Sequence, residues 1–235
     1  MTHLSVSYAK HRALDDVSLS INEGDFIALM GPNGGGKSTL LKTLCGLVPK
    51  TSGNVTHSLS PRDMAYLPQH KTLDHHFPIR VRDVVCMGLF LEMTFFKRLT
   101  CEQEENVFNA IERVGLKGFE NTLIHHLSGG QFQRMLFARL MMQKAKLLLL
   151  DEPFAAIDRE TTHMLLALLQ EWNESAVTLL VVLHDLRLAT HYFPKTLILS
   201  RKVKGFGLTK DVFQSSLSLD SLCLDSLQNN LASHG

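Results

Sequence analysis

A glycine-rich stretch near the start of the chain has the spacing of a phosphate-binding loop. Residues 31–38 read Gly-Pro-Asn-Gly-Gly-Gly-Lys-Ser and fit the pattern G-x-x-x-x-G-K-[ST]. Glycines leave backbone N–H groups bare and permit the positive φ angles with which these groups turn toward phosphate oxygens. Lys37 would add a cation for the β- and γ-phosphates, and the Ser38 hydroxyl a ligand for Mg²⁺. A predicted helix starting at Lys37 would direct its positive dipole end at the same anion.

Two carboxylates end an apolar run in the second half of the chain. Residues 147–152 read Leu-Leu-Leu-Leu-Asp-Glu, which is typical of a strand buried on both faces. Ligands of doubly wound sheets bind at the carboxyl ends of the strands. We therefore expect Asp151 to face the glycine-rich loop and hold Mg²⁺, and Glu152 to align and deprotonate an attacking water. Taken alone, the pair would fit equally well an acidic turn before Pro153.

A second glycine motif, Leu-Ser-Gly-Gly-Gln at 127–131, precedes a predicted helix at 131–143. Its hydroxyl, its bare backbone and its helix start repeat the anion-binding chemistry of the first loop. Within one chain, one of two such phosphate-facing helix starts would be redundant. We therefore expect two copies arranged head to tail, each donating this motif to the nucleotide of the other.

The hydrophobic pattern predicts strands alternating with helices, and hence a largely parallel sheet with helices on its faces. A half-buried strand is predicted at 16–21 and a capping box at Thr100 and Gln103. The remaining predicted elements are buried strands at 26–30, 147–150 and 177–183 and helices at 37–47, 131–143 and 161–172. A helical stretch at about 78–143 interrupts the alternation and is interpreted as an inserted subdomain.

Composition excludes several classes of protein. The chain has 235 residues, of which 45% are hydrophobic and 20% charged, so it is neither fibrous nor disordered in bulk. A net charge of +1 gives no basic excess, and we expect no nucleic-acid partner. No apolar run is long enough to span a bilayer, and the first residues lack the pattern of a secretion signal.

The cysteines and histidines predict no disulfide and no metal centre. The cysteines stand at 45, 86, 101 and 223, without a CxxC pair, and we expect reduced thiols in a cytosolic protein. Histidine pairs occur at 75–76 and 125–126. Adjacent side chains diverge on a helix or strand, so such pairs seldom ligate one ion.

Together, these motifs resemble the ATP-binding subunit of an ABC transporter, from about residue 2 to about residue 212. The resemblance implies an α/β P-loop NTPase fold, with a parallel-sheet core, an antiparallel β subdomain and an inserted helical subdomain. The core would comprise about 1–77 and 144–212, the helical subdomain about 78–143, and a variable tail 213–235. The stretch 211–235 is rich in Ser and Leu, and a short amphipathic helix and an irregular terminus both remain open.

The resemblance also implies roles for single residues. Tyr8 would stack on adenine, and Gln69, at the end of Tyr-Leu-Pro-Gln, would meet the metal and the attacking water. Asp158 closes a segment (155–158) that resembles the D-loop, which crosses the dimer interface in this family. His184 resembles the switch histidine near the γ-phosphate. Gly35 stands where alanine is commoner.

The sequence thus predicts three sets of site residues, for ATP and Mg²⁺ as cofactors. The catalytic set is Glu152, His184, Gln69 and Lys37. The metal set is Ser38, Gln69 and Asp151. The nucleotide-binding set is Tyr8, Gly31, Pro32, Asn33, Gly34, Gly35, Gly36, Lys37, Ser38, Thr39, Ser128, Gly129, Gly130, Gln131 and Asp158.

The segment after Gln69 bears on the cargo. Asp74-x-x-Phe77-Pro78, the residues at 79–88, the Phe-Phe-Lys-Arg at 95–98 and the Asp-Glu-Pro-Phe at 151–154 resemble importers of manganese, zinc or iron. Importers of iron chelates, haem or cobalamin are the alternative. The resemblance implies a homodimer on integral membrane permease subunits, at the cytoplasmic face of the inner membrane, and indirectly an extracytoplasmic metal-binding protein.

Three other classes fit the sequence less well. A non-transport ABC ATPase usually carries two such domains in one chain, or a long coiled coil. A non-hydrolysing regulatory subunit should have lost Glu152 or His184. A P-loop kinase or GTPase would lack the Leu-Ser-Gly-Gly-Gln motif.

Overall fold

The computed structural model describes residues 1–9, 11–69, 77–90 and 99–219. The strands in chain order are Thr2–Tyr8 (β1), His11–Val17 (β2), Phe26–Met30 (β3), Ser52–Asn54 (β4), Met64–Leu67 (β5), Leu147–Leu150 (β6), Thr178–Val182 (β7), Lys195–Ser200 (β8) and Lys202–Leu208 (β9). The α-helices are Lys37–Leu44 (α1), Val81–Cys86 (α2), Cys101–Arg113 (α3), Gly129–Gln143 (α4), Arg159–Glu174 (α5), Leu186–Tyr192 (α6) and Thr209–Leu219 (α7).

Two sheets make up the β structure. Six strands form the larger sheet in the order β5-β6-β7-β3-β8-β9, in which every neighbouring pair is parallel except β8 and β9. The smaller sheet, β2-β1-β4, is antiparallel. All residues of β3 and β7 are buried, as expected for parallel strands that are covered on both faces. These sheets and the surrounding helices confirm the predicted α/β fold class.

The apolar core has two parts, one on each face of the larger sheet. Residues that alternate along β3 separate between them: Phe26 and Met30 lie in one part, and Ile27 and Leu29 in the other. The first part also contains buried residues of α2, α3, α4 and α5, and the second those of α1 and the smaller sheet. The period of two along the strand therefore decides which layer each side chain supports.

The predicted helical stretch contains α2, α3 and α4. Thr100 caps α3 through a capping box with Gln103, as predicted, and Gly115 adopts a φ of +69° just beyond its end. Buried side chains of these helices belong to the same core part as Phe26 and Met30 of β3. Their grouping into a separate subdomain, with the boundaries given above, stays a prediction.

The strand predicted at 16–21 was wrong in position, because β2 spans His11–Val17. The hairpin with β1 pairs Val17 with Leu4 and His11 with Tyr8, so the ladder reaches back to His11. Leu19 is buried, and its amide bonds the carbonyl of Met1 outside the strand. The apolar-polar alternation at 16–21 therefore reflected burial rather than strand pairing.

Other predicted elements differ from the observed ones mainly at their ends. Helix α1 stops at Leu44, two residues before Gly46 adopts a φ of +73°, and Leu47 is 61% exposed rather than part of the buried helical face. Helix α4 begins two residues earlier than predicted because Ser128 caps it. Helix α7 forms the first part of the serine- and leucine-rich tail, and residues 220–235 lie outside the described part of the chain. Among the described residues, every helix is too short or too polar to cross a bilayer.

Candidate active site

The glycine-rich loop connects β3 to α1 and is shaped by glycine at its last turn. Gly36 immediately precedes α1 with a φ of +92°, and a Cβ at this position would lie 2.5 Å from the carbonyl oxygen of Ala13. A side chain is therefore excluded by both the backbone angle and the neighbouring strand. The loop brings the start of α1 to the carboxyl end of the larger sheet.

Lys37 lies almost entirely inside this loop. Lys37 is only 6% exposed, and its Nζ donates hydrogen bonds to the carbonyl oxygens of Gly31 (2.9 Å) and Pro32 (3.0 Å). Burial lowers the pKa of Lys37, while the charges of Glu152 and Asp151 oppose that shift. The ammonium is thus held by two neutral carbonyl oxygens. Phosphate oxygens can replace these acceptors, because a charge-assisted hydrogen bond is stronger.

A cavity of about 1140 Å³ opens in front of the loop. Tyr8 lies at its edge with 47% of its surface exposed, which leaves the ring available for stacking. The cavity is lined by predicted site residues together with residues for which the sequence predicted no role. The lining residues are Tyr8, His11, Ala13, Asn33, Gly34, Gly35, Gly36, Lys37, Ser38, Thr39, Gln69, Glu152, Ala155, Ala156 and His184.

Glu152 is the point at which three predicted catalytic residues meet. Its Oε2 accepts a hydrogen bond from Gln69 Nε2 at 2.6 Å, and its Oε1 lies 2.8 Å from His184 Nε2. The hydrogen bond with His184 is the main cause that holds the pKa of Glu152 below its usual value, against the effect of burial. Glu152 is therefore ionised at neutral pH, as a base that accepts a proton must be.

The backbone at Glu152 is also unusual. Its φ is +53°, in the left-handed region that non-glycine residues rarely adopt. Such a conformation costs about 1–3 kcal/mol and tends to persist where a site requires it. Here it follows directly on the end of β6 and directs the carboxylate toward Gln69 and His184.

Asp151 is buried beside the start of α1. Its Oδ2 accepts a hydrogen bond from the Tyr66 hydroxyl at 3.2 Å. Burial raises the pKa of Asp151, and the nearby hydroxyls of Ser38 and Tyr66 partly offset the shift. Its Oδ1 is buried and has no hydrogen-bond partner among the described residues. An oxygen left in this way, next to a serine hydroxyl, matches the ligands that Mg²⁺ takes beside nucleotide phosphates.

Tyr66 is one site residue for which the sequence predicted no role. Strand β5 runs parallel to β6 and pairs Tyr66 with Leu149, two residues before Asp151. The sequence places an aromatic residue on this strand, but only the pairing of β5 with β6 brings its hydroxyl to Asp151. Burial raises the pKa of Tyr66, so its hydroxyl is a proton donor at neutral pH.

The second glycine motif lies outside the cavity. Ser128 caps α4: its Oγ accepts from the Gln131 amide (3.2 Å), and Gln131 Oε1 accepts from the Ser128 amide (2.9 Å). Ser128 and Gly129 are exposed. A Cβ at Gly130 would lie 3.2 Å from Asp158 Oδ2, so this helix start lies against that of α5.

Asp158 is used within its own chain as the cap of α5. Its Oδ1 accepts from the Thr161 amide and its Oδ2 from the Thr161 hydroxyl, both at 2.8 Å. These bonds lower the pKa of Asp158. The predicted role of Asp158 in nucleotide binding across a dimer interface stays a prediction, as do the roles of Ser128, Gly129, Gly130 and Gln131.

Several sequence features lie away from the cavity or outside the description. Cys45, Cys86 and Cys101 are free thiols, and burial raises the pKa of Cys45 to about 11. The rings of His125 and His126 contact each other edge to face. In the described ranges, no group of three or more potential metal ligands is assembled. Outside those ranges lie Asp74, His75, His76, the residues at 95–98 and Cys223.

Comparison with known proteins identifies the class. The family model for ABC transporters matches residues 14–155. The manganese transport system ATP-binding protein MntB of Bacillus subtilis is 39% identical over 218 residues, covering 91% of this chain and 87% of MntB. The zinc transport system ATP-binding protein TroB of Treponema pallidum is 39% identical over 215 residues, covering 89% of this chain and 81% of TroB.

Solved structures agree with the sequence relatives. An inward-facing ABC transporter, described as of the metal-chelate type, matches with a TM-score of 0.82 and 28% identity, over 97% of this chain and 87% of the other. A dimeric structure of a bacterial ABC transporter cassette matches with a TM-score of 0.77 and 26% identity, over 88% and 97%.

The chain therefore belongs to the ABC transporter family, as the resemblance implied. It is an ATP-binding subunit of that family and hydrolyses ATP. Lys37 and Glu152 both line the cavity in front of the glycine-rich loop.

Proposed function

We propose that this chain powers the import of a metal ion, of the manganese, zinc and iron group, through membrane permease subunits. The observation that carries the proposal is that Gln69 and His184 both bind Glu152 beside the phosphate loop. The names of the relatives, which are manganese and zinc transport subunits, support the choice of cargo.

Hydrolysis is an in-line attack of water on the γ-phosphate, and catalysis comes mainly from positioning and electrostatics. Lys37 and the loop amides would bind the phosphate oxygens. Ser38, Asp151 and Gln69 would hold Mg²⁺, which neutralises negative charge on the β- and γ-phosphates when bound. Glu152 would accept a proton from the water, and His184 would hold Glu152 and contact the γ-phosphate.

Both oxygens of Glu152 are already engaged, one by Gln69 and one by His184. To take a proton from water, the carboxylate must turn one oxygen toward it. We infer that Gln69 exchanges Glu152 for the metal and the water when Mg·ATP enters, since Gln69 is assigned to that contact. Before Mg·ATP binds, Glu152 would therefore be ionised, but both of its oxygens would be hydrogen-bonded to Gln69 and His184.

The second glycine motif supports a head-to-tail dimer as the hydrolysing species. Ser128 and Gly129 are exposed and lie outside the cavity of their own chain, which leaves them available to close the site of a second copy. A dimeric cassette structure is similar to this chain. ATP would then bind between the copies, and loss of the γ-phosphate contacts would shift the pair toward the open state.

The substitution Glu152→Gln tests hydrolysis and dimer formation together. We expect turnover to fall by about 100-fold or more, because the general base is removed. ATP binding should persist, and a closed dimer should accumulate with Mg·ATP, as measured by size-exclusion chromatography with light scattering. Glu160→Gln, the same change on the exposed first turn of α5, serves as the control. A Glu152→Gln protein that is monomeric and fully active would refute the proposal.

An importer subunit of this kind would act together with membrane partners. The chain would sit peripherally at the cytoplasmic face of the inner membrane, with permease subunits as direct partners and an extracytoplasmic metal-binding protein as an indirect one. Exposed apolar side chains at Phe77, Met87 and Phe90, on the segments before and after α2, support a docking role there. Co-purification with a permease encoded by a neighbouring gene tests it, with Phe90→Asp expected to weaken the complex.

Cellular metal content tests the cargo. A strain lacking the gene should lose one of manganese, zinc or iron relative to the parent, and wild-type protein should restore it while Glu152→Gln should not. Similarity to a transporter of the metal-chelate type favours one alternative, import of an iron chelate. If a strain lacking the gene took up free metal ions normally but took up an iron chelate poorly, that alternative would be established. Impaired uptake of haem or cobalamin would instead identify that compound as the cargo.

A further inference from the structure

Tyr66 connects an edge strand of the larger sheet to Asp151, the carboxylate assigned above to Mg²⁺. In the parallel register of β5 and β6, Leu67 lies opposite Leu150, and the Asp151 amide donates to the Leu67 carbonyl at 2.9 Å. The backbone of Asp151 is thereby fixed to β5. The Tyr66 hydroxyl then donates to Asp151 Oδ2 at 3.2 Å, which fixes the side chain from the same strand.

The two oxygens of Asp151 therefore have different environments. Oδ2 is occupied by Tyr66, whereas Oδ1 is buried without a hydrogen-bond partner among the described residues. A buried carboxylate oxygen without a partner is costly unless a cation or a donor arrives. With Oδ2 bonded to Tyr66, Oδ1 is the oxygen available to an ion.

The position of the Tyr66 hydroxyl is itself set by packing. The half-buried ring packs against the core part that contains the buried residues of α1, as Cys45 and Leu147 do. A ring needed only to fill this space would serve equally well as phenylalanine. The hydroxyl is instead directed at a buried carboxylate 85 positions away in sequence, which is the pattern of an outer residue that orients a metal ligand.

We propose that Tyr66 is a positioning residue that sets the affinity of this ATPase for Mg·ATP by orienting Asp151. The proposal rests on the assignment of Asp151 to Mg²⁺ made above. Tyr66 touches neither the nucleotide nor the ion in this scheme. Its effect is confined to the metal-dependent part of nucleotide binding and disappears when Asp151 has no charge to orient.

The test compares ATP binding with and without Mg²⁺, measured by calorimetry on the full chain. Tyr66→Phe should weaken binding of Mg·ATP by about 10-fold, the lower end of what loss of an outer-shell partner causes. Binding of ATP in EDTA should be unchanged, which also shows that the variant is folded. Tyr192→Phe removes a hydroxyl that bonds His163 on the surface and should alter neither measurement.

A double-mutant cycle separates orientation of Asp151 from a general packing effect. In an Asp151→Asn background, Tyr66→Phe should cause no further loss of Mg·ATP affinity, because the charge on which Tyr66 acts is gone. An equal loss in both backgrounds, or an equal loss with ATP in EDTA, would overturn the proposal. If the wild type itself bound ATP equally with and without Mg²⁺, the assignment of Asp151 to Mg²⁺ would fail instead.

A measurement on unsubstituted Tyr66 covers the case in which Tyr66→Phe does not fold. The chain has three tyrosines, at 8, 66 and 192, so protein labelled only at the tyrosine Cζ carbon, which bears the hydroxyl, gives three NMR signals. Tyr8→Phe and Tyr192→Phe assign the Tyr66 signal by elimination. Adding Mg²⁺ to the ATP complex should shift the Tyr66 signal and leave that of Tyr192 in place. A Tyr66 signal that does not respond to Mg²⁺ would also overturn the proposal.

Discussion

Two helices of this protein begin beside glycine-rich turns, yet the two helix starts are built differently. At α1 the preceding residue is Gly36, which has no side chain to cap the helix, and the first turn lines the cavity together with Lys37. At α4 the preceding residue is Ser128, and a capping box with Gln131 satisfies two backbone donors. The first start is open toward a ligand of its own chain, and the second is stable by itself and exposed.

The difference shows that a similar residue composition serves two purposes according to where the fold places it. An uncapped helix start with a buried lysine is suited to binding several phosphate oxygens at once. A capped, exposed start has fewer donors to offer and is suited to completing a site that already exists. This division fits the proposed dimer, in which α1 would hold the nucleotide and α4 of the second copy would close over it.

The largest effect is expected at the α1 start. Lys37→Ala should weaken ATP binding by about 100-fold, because charge-assisted hydrogen bonds to phosphate are each worth up to about 3 kcal/mol. Equilibrium binding of a fluorescent ATP analogue measures this loss. Lys50→Ala removes a lysine on the exposed segment after α1 and should leave affinity unchanged. Unchanged affinity in Lys37→Ala would remove the basis for calling α1 the nucleotide-binding start.

A smaller effect of a different kind is expected at the α4 start. Ser128→Ala should lower the ATPase rate at saturating ATP by about 30-fold, since a hydrogen bond to a charged group is worth about 1.5–3 kcal/mol, while ATP affinity of the isolated chain stays the same. Thr100→Ala deletes the equivalent cap of α3. Both variants should lose about 1 kcal/mol of unfolding free energy, but only Ser128→Ala should lose activity. Equal activity in the two would mean that Ser128 only caps its helix.

Tyr8 tests how far the nucleotide site of α1 extends. Tyr8→Leu should raise the Kd for ATP by about 10-fold, since stacking of a base on an aromatic ring is worth about 1–3 kcal/mol. Inorganic triphosphate has no base, so its affinity should not change. Phe108→Leu alters another exposed ring, on α3, and provides the control in the same binding assay. Equal losses for ATP and triphosphate would place the adenine elsewhere.

The smallest effect concerns the bond between His184 and Glu152, and it depends on pH. This bond lowers the pKa of Glu152, so its contribution to stability is present above the unfolded value, near 4.5, and is lost as pH falls through the lower folded value. His184→Ala should cost about 1 kcal/mol at pH 7, a modest figure because the His184 side chain is 38% exposed.

Urea unfolding at several pH values measures that dependence. The difference in unfolding free energy between wild type and His184→Ala should shrink as the pH falls below about 4.5. His163→Ala is the matched control, since His163 bonds the Tyr192 hydroxyl rather than a carboxylate. A difference for His184→Ala that stays constant down to pH 3 would mean that the bond does not depend on an ionised Glu152.

Elements with a strong local pattern were predictable, and those set by pairing were less so. The run at 26–30 is a buried strand because all its residues are apolar, and the capping box at Thr100 and Gln103 starts α3 as expected. The alternation at 16–21 did not give a strand, because β2 takes its ends from its pairing with β1. Local periodicity records which residues are buried, but hydrogen bonds between strands decide where a strand begins and ends.

The candidate site shows the same division. The residue types needed for chemistry at Lys37, Asp151 and Glu152 are visible in sequence, because phosphate and metal binding restrict them to a few kinds at fixed spacing. The contact of Tyr66 with Asp151 was not visible, because it joins residues from two strands whose neighbourhood no local signal gives.

By itself, the sequence determined the order of the motifs, the class of reaction and the residues with the functional groups for it. The tertiary structure alone decided that Gln69 and His184 meet on Glu152, that Asp151 keeps one oxygen without a partner, and that the second glycine motif lies outside the cavity. The physical reason is that functional groups are carried by single residues. The distances between these groups, their burial and their hydrogen-bond partners arise only when distant segments pack together.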